Sequence, residues 1–438
     1  MTRRLTTFLL AALGSAAAAG AQPLTLPEAI ARARSQNVDV RASAVAEREA
    51  DQRVAEARAR YQPTVDFTES WQRGNQPVFV FSSLLAQRRF TAADFALDAL
   101  NRPAATDNFR SAFLVEQSLF DATTSARVRS AGLGRDLAAA GGSLIHQSLA
   151  VEVTDAYGRV LVGAATRRSA AAGIEAAEAD RQIAGNRREA GMVTDADVLQ
   201  LDVHLARMRQ RDIQAAADER IARAELNQLM GVPLDTSFTL DAVASPADLV
   251  HQVQQGVDAT AVARRPEVKI AVLQQQLAEA AEREARAAFL PHVSAQGGWE
   301  QNGGAWDSRA SSWVVGAVAR VNLFRGFADR ARLAEAREQV ASRALARERA
   351  ETAARLDLET AAARLDAARA REALGRAALT QALESRRIIR DRYEGGLADV
   401  TALLRAEEAV QEAESQQTAA RADALVSVAS LQRALGQP

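Results

Sequence analysis

The chain has 438 residues, and its 54 Lys and Arg nearly balance its 55 Asp and Glu, which gives a formal net charge of −1. This balance leaves no basic surface for DNA or RNA, so a nucleic-acid-binding protein is excluded. The absence of Cys excludes disulfide bonds, thiol chemistry and a lipid-modified N-terminal cysteine.

The N-terminus has the pattern of an export signal. Arg3 and Arg4 precede an apolar run, and Ala19-Gly20-Ala21 supplies the small residues of a cleavage site. We therefore expect residues 1–21 to be a signal peptide, although an uncleaved membrane anchor is an alternative interpretation. No later stretch reaches the roughly 18 consecutive apolar residues that a transmembrane helix needs.

The rest of the sequence contains an internal repeat, with two similar segments one after the other. The segment "EAGMVTDADVLQLD" at 189–202 aligns without a gap with "EGGLADVTALLRAE" at 394–407, and "LNQLMGVP" at 226–233 aligns with "LQRALGQP" at 431–438. Such self-similarity indicates repeated structure. We predict structural repeat 1 at 22–231, a linker at 232–257 and structural repeat 2 at 258–438.

Each repeat contains two segments that alternate apolar and polar residues, at 63–71 and 111–120 and again at 291–300 and 311–324. In the first segment Val65, Phe67 and Trp71 share one face. The pattern predicts strands of a lipid-facing barrel, although a half-buried soluble sheet alternates identically. Since open edges are not tolerated in lipid and single-chain barrels begin at about eight strands, a spanning sheet of this size needs further protomers.

Long Ala-, Arg- and Glu-rich segments without proline predict helices at 122–189 and 325–392. Shorter helices are predicted at 26–60, 195–230, 258–288 and 400–435. Gly191 and Gly396 separate each long helix from the helix that follows it. Because Gly readily adopts the left-handed conformation that ends a helix, each break predicts a helical hairpin.

Together these features resemble the TolC family of outer-membrane efflux proteins. The resemblance rests on the "LTLPEAI" start, the duplicated helix–strand–strand–helix order, and the Gly-centred hairpin followed by "DVLQLD". It implies a mainly α fold with a membrane β-barrel part: long helical hairpins form an α-barrel tunnel, and four strands per protomer contribute to the 12-stranded barrel of a homotrimer.

The resemblance also implies a function and partners. A family member would be the channel-tunnel of a tripartite efflux or type I secretion system in the bacterial outer membrane, with a large periplasmic portion. It would contact outer-membrane lipid, a periplasmic adaptor and an inner-membrane pump, and would serve as a passive exit duct. The alternative is a periplasmic structural coiled-coil protein without channel activity.

On this resemblance the two Gly-centred breaks are helix tips at the periplasmic entrance. Residues at the turns would dock the adaptor: Gly191, Met192, Gly396 and Leu397. Residues near them would form the pore constriction: Asp197, Tyr393, Asp399 and Arg405.

The match at the constriction is incomplete. Asp197 and Tyr393 correspond to family positions that hold the closed entrance by hydrogen bonds. Family members of the best-known type carry Arg at the position of Ala398, and acidic residues at those of Ala402 and Arg405. Asp197 as a simple cap of the returning helix is an alternative.

The connection at 72–110 in the first hairpin is about 24 residues longer than its counterpart in the second. Its sequence, "QPVFVFSSLLAQRRFTAADFALDALNRP", is unusually apolar for a surface loop. The resemblance places it outside the cell. It would fold over the barrel mouth, pack between protomers or form a lipid-touching rim, and the sequence does not rank these alternatives.

The sequence shows no pattern of catalysis. The four His residues are scattered, no metalloprotease, serine-hydrolase or phosphate-loop motif occurs, and Met and His do not cluster at metal-ligand spacing. We therefore expect neither an enzyme nor a bound metal or cofactor.

Overall fold

The computed structural model describes residues 23–241 and 261–437. The predicted signal peptide and most of the predicted linker lie outside these residues. The chain divides into two compact units. The described part of the sheet unit comprises 41–145 and 261–357, and that of the tip unit comprises 23–40, 146–241 and 358–437.

Four antiparallel strands form the sheet of the sheet unit, in the order β1-β2-β3-β4. The strands are β1 (Thr64–Gly74), β2 (Thr106–Phe120), β3 (His292–Ala305) and β4 (Ser308–Arg320). The four predicted strands are thus present, but β1, β2 and β3 are longer than expected because polar residues at their ends also pair. Conversely, β4 ends at Arg320, which pairs with the first residue of β3, so the apolar residues beyond it have no partner strand.

The two faces of the sheet differ in chemistry. On the aromatic face, the ring centroids of Phe67 and Phe113 lie 4.8 Å apart, and those of Phe113 and Trp299 lie 5.9 Å apart. On the polar face, Arg110 and Glu300 form an ion pair at 2.8 Å. The alternation predicted from the sequence therefore separates an aromatic surface from a polar one.

The connection between β1 and β2 is largely helical rather than an open loop. It contains α3 (Pro77–Ala86), a short 3-10 helix (Ala92–Phe95) and α4 (Leu97–Asn101), after α1 (Leu26–Gln36) and α2 (Val38–Ala59) earlier in the chain. Its start and end belong to β1 and β2, since Gly74 pairs with Thr106.

Six further helices complete the described chain: α5 (Ala122–Glu189), α6 (Asp195–Met230), α7 (Ala261–Arg264), α8 (Pro266–Ala287), α9 (Ala328–Glu394) and α10 (Val400–Ala434). In the sheet unit, α5 packs on α8 through a core of Leu133, Ala140, Leu273 and Ala280. The small Ala residues at this contact allow the helices to approach closely.

The helix predicted at 26–60 is instead divided at Asn37. The buried Asn37 amide donates to the carbonyl oxygen of Leu229 at 2.9 Å, and its side-chain oxygen accepts from the Asp39 amide at 2.8 Å. Asn37 thereby starts α2 as a cap while it fixes α1 against α6. Nearby, Gly231 has φ +71°, and a Cβ there would lie 2.5 Å from the Gln36 carbonyl oxygen.

Tyr157 of α5 contacts two chain segments of the tip unit that pair through their backbones, one at Leu24 and the other at Asp241. Its hydroxyl lies 2.8 Å from the carbonyl oxygens of both Leu24 and Asp241, which share its one donated proton. Burial raises the pKa of Tyr157 to about 12, with the Asp241 carboxylate adding to the shift. The neutral phenol is therefore the form that the folded protein stabilises.

We expect Tyr157→Phe to lower the free energy of unfolding by about 1–2 kcal/mol, because the carbonyl oxygens of Leu24 and Asp241 lose the hydroxyl donor that they share. The thermal unfolding midpoint in detergent would measure this. The exposed Tyr61 provides the control, since Tyr61→Phe removes a hydroxyl that is already in water. Equal midpoints for the two variants would contradict the role of the Tyr157 hydroxyl.

Candidate functional site

Two Gly-centred turns join the helices of the tip unit, as the sequence predicted. Gly191 has φ +71° between α5 and α6, and Gly396 has φ +72° between α9 and α10. The amides that follow them close the turns: Met192 donates to the Arg187 carbonyl at 2.8 Å, and Leu397 donates to that of Arg392 at 2.7 Å. Both glycines have the backbone conformation that other residues seldom adopt.

Both turns present an apolar side chain to solvent. Met192 is 69% exposed and Leu397 is 74% exposed. The equivalence of the two turns therefore extends to their chemistry.

The carboxylates predicted near the constriction cap the returning helices. The Asp197 carboxylate accepts from the backbone amide and the hydroxyl of Thr194, both at 2.8 Å, and completes a capping box at the start of α6. Asp399 accepts from the Ala402 amide at 2.8 Å at the start of α10. Each carboxylate satisfies a helix N-terminus, where negative charge is favourable.

The two hairpins meet in a small core directly behind the turns. It consists of Ala184, Leu201, Tyr393, Val400 and Leu403. Tyr393 is only 4% exposed, so its ring is a principal contact between the hairpins.

The hydrogen bond expected between Tyr393 and Asp197 is absent from the protomer. Asp197 is committed to Thr194, and the buried Tyr393 hydroxyl has no hydrogen-bond partner among the described residues. Burial raises the pKa of Tyr393, the Arg187 guanidinium opposes this shift, and the Asp180 and Asp197 carboxylates add to it. Within the protomer, Asp197 therefore acts as part of the helix cap.

Arg187, which the sequence patterns did not single out, joins the two turns instead. Its guanidinium donates to the carbonyl oxygens of Tyr393 at 2.9 Å and Glu394 at 2.7 Å, and lies 5.0 Å from the centroid of the Tyr393 ring. A cation at the C-terminus of α9 also complements the helix dipole. A basic residue in the last turn of α5 is a sequence signal that α5 ends there. The carbonyl groups that Arg187 contacts, however, belong to the end of α9.

A buried charge cluster lies further from the turns. Arg390 bonds to Glu407 at 2.8 Å and to Asp180 at 3.3 Å, while Arg386 bonds to Glu407 at 3.4 Å. Burial raises the pKa of Asp180, and Arg390 opposes that shift. These residues are spread over three helices, so only their packing reveals the cluster.

Arg405 and Asp399 are exposed, and the Asp399 carboxylate caps α10. No group of three or more His, Asp or Glu suited to a metal ion occurs within the described residues. Over the same part of the chain, no helix is both long and apolar enough to cross a membrane.

We expect Arg187→Ala to loosen the second turn, because the carbonyls that end α9 lose charged donors. The local opening free energy should fall by about 1–2 kcal/mol for this partly exposed group. Amide hydrogen exchange at Gly396 and Leu397 would measure it. Arg188→Ala is the matched control because Arg188 forms an exposed ion pair with Asp195 in its own hairpin. Equal exchange in both variants would contradict the role of Arg187.

Comparisons with known proteins identify relatives of this chain. The sequence matches the family described as "Outer membrane efflux protein" over residues 29–232 and 259–437. Protein CyaE of Bordetella pertussis is 30% identical over 301 residues, which cover 66% of this chain and 62% of that protein. The match thus spans less than two thirds of the length of that relative.

Solved structures share the fold at low sequence identity. The CmeC outer membrane channel of Campylobacter jejuni has a TM-score of 0.79 at 15% identity, covering 94% of this chain and 85% of its own. The outer membrane protein VceC of Vibrio cholerae has a TM-score of 0.77 at 16% identity, covering 94% and 96%. With the family match over most of the sequence, the chain belongs to the outer membrane efflux protein family.

Proposed function

We propose that the protein is a homotrimeric exit duct in the bacterial outer membrane. It receives substrates from an inner-membrane pump through a periplasmic adaptor, in a tripartite efflux or type I secretion system. Membership of the efflux family supports the channel activity. The trimer, the location and the partners rest on the further observations below.

The observation that carries the proposal is a sheet with two open edges and an exposed aromatic face. β1 and β4 each pair on one side only. On the aromatic face Phe67, Trp71 and Trp313 are exposed. An apolar face suits lipid, but unpaired edges in lipid do not, so the strands of further copies must complete the sheet.

Three copies would supply twelve strands and a closed barrel whose polar face lines the lumen. Two charged pairs share the aromatic face: Glu69 and Arg309 approach to 3.4 Å, with Arg309 over the Trp306 ring, and Arg73 and Asp107 approach to 3.1 Å. Arg309, Arg73 and Asp107 lie at the strand ends on the side of the β3–β4 turn, whereas Glu69 lies in the middle of β1. Indole rings with nearby charges are typical of the level of the lipid headgroups.

The exposed turns suit the adaptor. Met192 and Leu397 are apolar, exposed and equivalently placed, and Gly191 and Gly396 let the backbone approach a partner closely. An apolar anchor in an otherwise polar surface is the pattern of a protein contact. We assign these four residues to adaptor docking.

The constriction remains assigned to residues that adjoin these turns: Asp197, Tyr393, Asp399 and Arg405. Within one protomer the aspartates serve as helix caps and Tyr393 as packing. The exposed charges of Asp399 and Arg405 are nevertheless available to a neighbouring copy. The alternative of a periplasmic coiled coil without channel activity leaves the aromatic sheet face without a role.

The mature protein in detergent should be a trimer, because only further strands pair the edges of β1 and β4. Light scattering would give the mass, and the same fraction should conduct ions in planar bilayers. A monodisperse monomer that retains the full β signal in circular dichroism would refute the proposal.

A tag inserted between Gly74 and Asn108 should bind antibody on intact cells, whereas a tag at Gly396 should bind only after the outer membrane is opened. The reason is that the family resemblance implies an extracellular position for the first site and a periplasmic position for the second. Surface expression of the first variant and its trimer mass serve as controls. Equal labelling of both tags on intact cells would contradict this topology.

A further inference from the structure

The helix α3 lies across one end of the sheet and has two different faces. Its buried stripe consists of Val80 and Ser83, and it continues to Gln87 just beyond the helix. The opposite stripe carries Val78, which is 74% exposed, and Leu85, which is 49% exposed. The spacing of each stripe is that of one helix face. The exposed Ser82 lies between Val78 and Leu85 on the same stripe, so a mostly apolar surface is left uncovered above the sheet.

Contacts with successive strands show that α3 covers the polar face. A Cβ at Gly74 of β1 would lie 3.5 Å from the Phe79 ring. The Gln87 amide donates to the Asn108 side chain of β2 at 3.0 Å, and Asn108 donates to Asn302 of β3 at 3.0 Å. Asn108 and Asn302 lie on the same face as the Arg110–Glu300 ion pair, since strand residues alternate between faces.

Two arginines fix the end of the helix at the far side of the sheet. Arg88 has a φ of +56°, a conformation unusual for a residue other than Gly, and donates to the Ser311 carbonyl of β4 at 2.9 Å. The Arg89 side chain occupies the space that a Cβ at Gly304 would fill. The helix is thus held at both ends against its own sheet, so it is a fixed element of the protomer rather than a loose loop.

The polar face lines the lumen if three copies close the barrel, so this step rests on the proposed function. Twelve strands about 4.8 Å apart and tilted by about 40° enclose a radius of about 12 Å. A helix with its side chains is about 10–12 Å across. One α3 helix on the wall of such a barrel therefore reaches almost to its axis.

We infer that the α3 helices of three copies meet at the barrel axis and form an apolar constriction at the outer end of the duct. The partner of the exposed Val78 and Leu85 stripe is the same stripe in the other two copies. This contact removes from water an apolar surface that the protomer leaves uncovered. This constriction is distinct from the one proposed at the Gly-centred turns.

Cysteine cross-linking tests the contact, and the natural chain has no Cys to interfere. Leu85→Cys and Val78→Cys, made separately in the full-length protein, should give covalent dimers on mild oxidation, seen in denaturing gels without reductant. A disulfide joins two of the three copies and leaves the third thiol free, which gives a covalent dimer. It forms only where the two Cα atoms lie within about 7 Å, so it reports that the helices meet. Ser83→Cys, which faces its own sheet, is the matched control and should stay monomeric in the gel.

Light scattering on each preparation separates the two proposals. A trimer in which neither Leu85→Cys nor Val78→Cys cross-links would overturn the constriction and leave the proposed duct intact. A monomer would overturn both.

Access to the lumen from outside the cell gives a second readout. Gln296 lies on the polar face, further along β3 from α3. A polymer-linked maleimide added to intact cells should fail to label Gln296→Cys, and adding Val78→Asp with Leu85→Asp should restore labelling because the new carboxylates repel one another. Asp307→Cys, in the exposed β3–β4 turn, should be labelled in both backgrounds. Labelling of Gln296→Cys without the added Asp residues would overturn the constriction.

Discussion

Backbone hydrogen bonding at the edges of the sheet is the constraint on which the proposed assembly depends. The inner strands β2 and β3 are paired on both sides, whereas β1 and β4 are paired on one side only. An edge in water can be left to solvent, but an edge beside lipid cannot, because each unsatisfied group costs several kcal/mol there. In the proposed duct the exposed aromatic face lies against lipid, so the proposal makes the protomer an incomplete structure by itself.

The two faces of the sheet suit different surroundings. Aromatic rings that touch across β1, β2 and β3 form a continuous apolar surface, which suits lipid. The polar face instead carries the Arg110–Glu300 ion pair and the Gln87–Asn108–Asn302 hydrogen bonds. The long connection between β1 and β2 lies against this polar face. In a closed barrel it would narrow the enclosed space.

At the tips, the hairpins are joined by packing and by a cation rather than by the hydrogen bond that the family resemblance implied. Asp197 is used locally because Thr194 lies three residues before it and completes a capping box. Tyr393 therefore packs between helices, and Arg187 supplies the polar connection between the turns. The family resemblance directed attention to these turns, whereas the contact made by Arg187 appears only in the packing of the hairpins.

Local patterns in the sequence determined the long helices, the four strands and the two turns, because helix and strand periods and Gly191 and Gly396 act over a few residues. The short helices between β1 and β2 were not predicted, since that segment was expected to be a loop. The repeated Gly-centred segment also located the candidate site. The break at Asn37, the connection made by Arg187 and the side of the sheet that α3 covers were decided by tertiary structure alone. Each depends on a carbonyl or amide group supplied by a residue remote in the chain, and no local pattern encodes which remote group will be adjacent.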